Sequence, residues 1–180
     1  MREFVESKIR FQFDEQNWNV IQYDAIDGDF RKYVHLSGTK AVDFIGIYNQ
    51  YTIVFFEIKS FRGFGNNAEV QDRLQGSMEE LSTEIALKVR DTVSVIAGFN
   101  RTNASPFWTK SEKIISNANK CLMVIAWIEE NNTRQKKVEM GMRLRKLKQK
   151  LSWLSSDSEI YIENIRERHI MFDGFNAITV

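Results

Sequence analysis

The chain has 180 residues, 43% of them hydrophobic and 12% aromatic, which suits one compact domain over residues 1–180 with a substantial core. Its formal charge is only +1, so attraction to an anionic partner must come from local clustering. Cys121 is the only cysteine and sits in the apolar run CLMVIAWI, which excludes an internal disulfide framework and reads as core rather than nucleophile. The longest apolar runs, such as YTIVFF, fall far short of the ~20 residues that span a bilayer, and MREFVESKIRFQF lacks the apolar segment of a secretory signal. The expectation is a soluble, cytoplasmic protein with no membrane partner.

In chain order, the first 24 residues are ambiguous. Phe4, Val5, Ile9 and Phe13 fit one helical face, while Ile9, Phe11 and Phe13 alternate as in a strand. The reading adopted is a helix to about Glu15, a strand over WNVIQYD, and then a polar region, DAIDGDFRKYVHLSGTK. Residues 42–48 and 52–60 form a pair of strands turning at Asn49-Gln50, and FRGFGNN reads as a loop. From Met78 a helix follows, with Leu81, Ile85, Val89, Val93 and Ile96 at helical spacing and Gly98 ending the run. NRTNASPFW, with the only proline, Pro106, reads as a loop. KCLMVIAWIEE is a buried strand. The segment RQKKVEMGMRLRKLKQKLSWL is a helix with a stripe of Met140, Leu144, Leu147, Leu151 and Leu154, and EIYIENI is a further strand. Strands separated by helices predict an α/β fold with a mixed central β-sheet flanked by helices.

Three charges stand out in the strand pair AVDFIGIYNQYTIVFFEIKSF. Burying charge costs several kcal/mol unless something pairs with it, yet Asp43 opens one strand and Glu57 and Lys59 close the next. Glu57 and Lys59 share a face because alternate strand residues point the same way. A three-residue loop, Asn49 to Tyr51, pairs Tyr48 with Thr52 and sets Asp43 opposite Glu57. A two-residue loop turns the Asp43 carboxylate to the other face, so a shared site needs an odd loop or a bulge. Two facing carboxylates repel unless a cation lies between them. Mg²⁺ suits such a place, with Mn²⁺ as an alternative, and the Ile58 carbonyl can complete the ligand set. A metal there polarises a scissile phosphate and acidifies a bound water, and Lys59 orients that water or stabilises phosphate charge. The plain alternative is a buried Asp43–Lys59 or Glu57–Lys59 ion pair with no catalytic part, which is a weak source of stability.

Asp, thirteen residues, then Glu-x-Lys across two strands resembles the active site of the PD-(D/E)xK nuclease superfamily, and GTKAVDFIGI…VFFEIKSFRG with its following helix extends the match over residues 38–98. Val42 stands where the superfamily's name has proline. The resemblance implies a restriction-endonuclease-like fold and a Mg²⁺-dependent endonuclease acting on DNA, with RNA left open. It implies Asp43 and Glu57 as metal ligands, Lys59 as catalytic lysine, and a further acid on the first helix, for which Glu6 is the candidate. A phage-defence or repair effector is implied, working as a homo-oligomer or with a partner NTPase such as a motor ATPase. The rival reading is a non-catalytic nucleic-acid-binding or assembly subunit with the same fold.

Residues 134–150 carry eight basic side chains against Glu139 alone, a local charge of +7. With the leucine stripe inward, this helix presents Arg143, Lys146 and Lys150 as candidate phosphate contacts; an ordinary solvated face is the alternative. Lys88 or Arg90, on the helix after the hairpin, can face the site and contact the scissile phosphate, with Lys88 the candidate; plain surface charge is the alternative for each. Gln71 and Gln75 are weaker candidates for its mouth, and Phe107 and Trp108 either stack on bases or anchor a loop. His35 and His169 have no ligand spacing, which argues against zinc, and GFGNNA lacks the third glycine of a dinucleotide loop.

Overall fold

The computed structural model describes residues 1–61, 78–102, 105–130, 134–154 and 159–180. It is a mixed α/β structure with two sheets and, among the described residues, four helices. None of those helices is long and apolar enough to cross a membrane.

The first 13 residues are a hairpin, not a helix. β1 (Arg2–Glu6) and β2 (Ile9–Phe13) pair antiparallel around Ser7 and Lys8, whose positive φ values of 54° and 64° make the tight two-residue turn. The alternation of Ile9, Phe11 and Phe13 is the signal that governs here, because all three bury against a second layer. β3 (Trp18–Gln22), β4 (Phe44–Tyr48), β5 (Thr52–Ser60), β6 (Cys121–Glu129) and β7 (Glu159–Glu163) lie in that order in one sheet. The first three pair antiparallel, and β5–β6 and β6–β7 pair parallel. β8 (Phe175–Thr179), which no sequence signal announced, adds to β2 and completes a sheet β1-β2-β8.

The two faces of the five-stranded sheet form two cores. One face, with Phe44, Val54, Phe56, Ile58, Met123, Ile125 and Trp127, meets Phe11, Phe13 and Ala177 of the small sheet. Ring contacts such as Phe11–Trp127 at 5.4 Å and Phe13–Phe56 at 5.7 Å fill this layer. Gly46 is required here, since a Cβ at that position would stand 2.9 Å from the Trp18 ring. The other face, with Ile45, Ile47, Ile53, Phe55, Val124 and Ala126, packs against helices.

Four helices belong to the described chain: α1 (Asp29–Tyr33), α2 (Met78–Thr102), α3 (Pro106–Ile115) and α4 (Arg134–Lys150). α2 buries Leu81, Ile85, Val89 and Ile96 as its spacing predicted, but runs past Gly98 to Thr102. The stretch read as a loop around Pro106 is α3, with Ser105 as N-cap accepting from the Trp108 N–H at 3.4 Å and Pro106 in the first turn. Trp108 is buried and donates its indole N–H to Asp29 at 2.8 Å, so base stacking by Trp108 is ruled out and Phe107 packs beside it. Leu147 and Leu151 of the α4 stripe are buried.

Candidate functional site

The β4–β5 hairpin turns with the odd count. Tyr48 pairs with Thr52 and Phe44 with Phe56 around Asn49, Gln50 and Tyr51, the first two at positive φ. Continuing that register aligns Asp43 with Glu57 on the helix-covered face. The backbone, however, departs from a plain ladder at this point. The Asp43 N–H donates to the Phe56 carbonyl at 3.0 Å although Phe56 already pairs with Phe44, so two residues of one strand face one of the other, as in a β-bulge. The Asp43 carbonyl accepts from the Tyr23 N–H at 2.8 Å, which keeps β3 in step. The bulge lets the Asp43 carboxylate reach past Glu57, and its Oδ2 accepts the Ile58 N–H at 2.6 Å. N–H and C=O of one strand residue face the same neighbour, so the Ile58 carbonyl also opens on the Asp43 side.

Glu57 is 1% exposed. Its Oε1 lies 3.0 Å from the Lys59 ammonium and 2.8 Å from that of Lys88, on α2. Lys88 is also 3.8 Å from Asp43 Oδ1, and Lys59 donates to Glu84 Oε1 at 2.8 Å. Glu57 Oε2 is fully buried with no hydrogen-bond partner among the described residues. Threonine and aspartate on α2 fix the strand entering the site: Thr92 Oγ1 accepts from the Val42 N–H at 3.2 Å and Asp91 Oδ2 from the Lys40 N–H at 2.9 Å.

Burial pushes the Glu57 carboxyl up to about 7; the Asp43 charge adds to this and Lys88 and Lys59 oppose it. Burial also raises Asp43, against the pull of Lys88 and the Ile58 N–H. For Lys59, burial acts downward but Glu57 and Glu84 outweigh it and hold the ammonium above its ordinary value. For Glu84, burial acts upward and the Lys59 hydrogen bond prevails, so its carboxyl is lowered.

The structure therefore brings Asp43, Glu57, Lys59, Ile58 and Lys88 together. Glu6 is not on a helix but on β1, half-buried; burial and the Asp43 charge raise its carboxyl, which places it within electrostatic reach of the site without a contact to it. Arg143 does not face outward: it is 1% exposed and ion-pairs with Glu130, because α4 turns this residue onto the end of β6. Lys146 and Lys150 both pair with Glu79 of α2 rather than standing free. Arg90 is exposed and pairs with Asp91. Gln71, Gln75 and the whole GFGNNA segment lie outside the described residues. Cys121 is half-buried and burial pushes its thiol up, which does not suit a nucleophile.

No family model, curated protein or solved structure matches this chain. What the site can do follows from its donor set. Among the described residues no three His, Cys, Asp or Glu side chains converge as metal ligands. Two carboxylates, Asp43 and Glu57, and the Ile58 carbonyl nevertheless fit Mg²⁺, which commonly takes one or two carboxylates and completes its shell with water and phosphate oxygens. Glu84 was missed in the sequence; its signal was the Glu84-to-Lys88 spacing of four, which puts both on the helix face that covers the hairpin.

Proposed function

We propose that the protein is a Mg²⁺-dependent endonuclease of the PD-(D/E)xK type that hydrolyses phosphodiester bonds, with DNA as substrate. The observation that carries this reading is Glu57: a carboxylate 1% exposed, set beside Asp43 by a bulge and flanked by two lysines, with its Oε2 not hydrogen-bonded among the described residues. A helix laid over the hairpin, as α2 is, is what the sequence resemblance implied. Asp43, Glu57 and the Ile58 carbonyl would hold the metal, which when bound supplies charge stabilisation at a phosphate oxygen and an acidified water. Lys59, fixed between Glu57 and Glu84, keeps its ammonium where it can donate to the attacking water or to phosphate charge. Specificity, in a phage-defence or repair setting, falls to oligomerisation or to an NTPase partner.

A second reading has its own observation. Lys59 and Lys88 already neutralise Asp43 and Glu57, as they would in a non-catalytic nucleic-acid-binding or assembly subunit. Incubating plasmid with Mg²⁺ or Mn²⁺ and wild type, Lys59→Ala or Asp43→Ala separates the two. The nuclease reading expects nicking that falls roughly 10²–10³-fold in Lys59→Ala; equal behaviour of all three proteins overturns it.

A further inference from the structure

Lys88 is placed differently from Lys59. Lys59 also pairs with Glu84. The ion-pair partners of Lys88 among the described residues are Glu57 at 2.8 Å and Asp43 at 3.8 Å, the two carboxylates that would bind a metal. Its ammonium sits between them, its side chain 13% exposed on the inner face of α2. Facing carboxylates need a cation between them, and here the chain provides one.

We propose that Lys88 is a tethered stand-in cation: it occupies the metal position in the metal-free protein and leaves it for the phosphodiester when the metal enters. This rests on the nuclease reading. Charge makes the exchange a coupled one. Asp43 and Glu57 bring two negative charges to this point and the Lys88 ammonium one positive charge. A divalent ion set beside Lys88 would bring three positive charges against those two, an excess that a single phosphodiester cancels. Metal alone therefore binds against the Lys88 ammonium, and metal with phosphodiester binds together. By linkage each raises the affinity for the other equally. Lys88 is on this account a positioning residue that keeps the site closed to metal until the substrate backbone arrives.

The test counts bound Mn²⁺ from the electron paramagnetic resonance signal of the free ion, for wild type, Lys88→Met, Lys88→Gln and Lys88→Met/Asp43→Asn. Wild type should bind weakly, and both single variants more tightly by roughly tenfold, within the roughly 5–150-fold span of such couplings. The double variant should lose the gain. Dimethyl phosphate, a phosphodiester without bases, should tighten Mn²⁺ binding to wild type and leave Lys88→Met unchanged. If the Lys88 variants bind Mn²⁺ no more tightly than wild type while wild type nicks plasmid, the stand-in role is overturned and the nuclease reading stands. If no variant binds Mn²⁺ and wild type does not nick plasmid, both fall. Should the single variants lose their fold in chelator, recovery of the native circular dichroism spectrum on adding Mn²⁺ counts for the proposal, and failure to recover it counts against.

Discussion

The Ile58 N–H donates to Asp43 Oδ2 at 2.6 Å, so the side chain at the bulge takes the place that a strand neighbour would fill. A hydrogen bond to a charged acceptor contributes roughly 1.5–3 kcal/mol, but burial opposes the Asp43 charge and takes back part of that. Asn keeps the acceptor and removes the buried charge; Ala leaves the Ile58 N–H without it. Urea unfolding at pH 8 should therefore rank Asp43→Asn at or above wild type and Asp43→Ala below it by about 1–2 kcal/mol. Both variants should fail to nick plasmid with Mg²⁺, the mark of a residue kept for chemistry at a cost in stability.

Glu57 makes stability depend on pH in a defined window. Its carboxyl is raised from 4.5 to about 7, so the folded state binds the proton more tightly than the unfolded chain. The stabilisation is fully present below pH 4.5 and is lost as pH rises through about 7. Its size is on the order of 3 kcal/mol. Asp43, also raised, acts in the same sense, while Glu84, lowered, gives stability that is lost only as pH falls below the ordinary carboxylate range. In chelator, the melting temperature of wild type should rise between pH 8 and pH 5.5, and Glu57→Gln should flatten that rise. Added Mn²⁺ should reverse the slope, since the metal competes with the proton for Glu57.

The hairpin was legible because TIVFFEIKSF is apolar on both faces until the charges begin, and a strand buried on both faces carries that pattern. Its bulge was not, since nothing in AVDF distinguishes a residue paired with Glu57 from one that shares Phe56 with Phe44. β1 and β2 were misread because Phe4, Val5, Ile9 and Phe13 fit a helical face, and what decides for strands is β8, over 160 residues away. α3 did carry a signal, Ser105-Pro106 as N-cap and first-turn proline, that the loop reading passed over. The outward place expected for Arg143 on α4 failed for a physical reason. A count of basic residues says nothing of which ones pack inward, and Arg143 lies on the side of Leu147 and Met140.

Arg143 is expected to act through stability and not through nucleic-acid binding. It is 1% exposed and ion-paired with Glu130 at the end of β6. Removing one member of a buried pair leaves the other charge uncompensated, typically at about 3–5 kcal/mol, whereas replacing both by apolar residues is often neutral. Arg143→Met should therefore lower unfolding free energy by that order, and Arg143→Lys, which keeps the charge, should lower it less. DNA affinity of the folded protein, measured by fluorescence anisotropy below its transition, should match wild type in both.

Lys146 and Lys150 supply the last test, because their present partner decides whether they can serve a phosphate. Both donate to Glu79, in the first turn of α2, and these hydrogen bonds lower the Glu79 carboxyl to about 2. Exposed pairs of this kind are screened by salt and add little to stability, so Glu79→Gln should melt with wild type. It should also release two ammonium groups on the rim between α2 and α4. Each phosphate newly neutralised steepens the dependence of log affinity on log salt by about 0.9 for duplex DNA. Anisotropy titrations of a labelled duplex at stepped NaCl should show Glu79→Gln binding more tightly at low salt, with a slope steeper by one to two such increments. Lys146→Ala/Lys150→Ala on that background should return the slope to the wild-type value. An unchanged slope in Glu79→Gln would mean that DNA does not track this rim at all, and that the path to Asp43 and Glu57 runs over another surface.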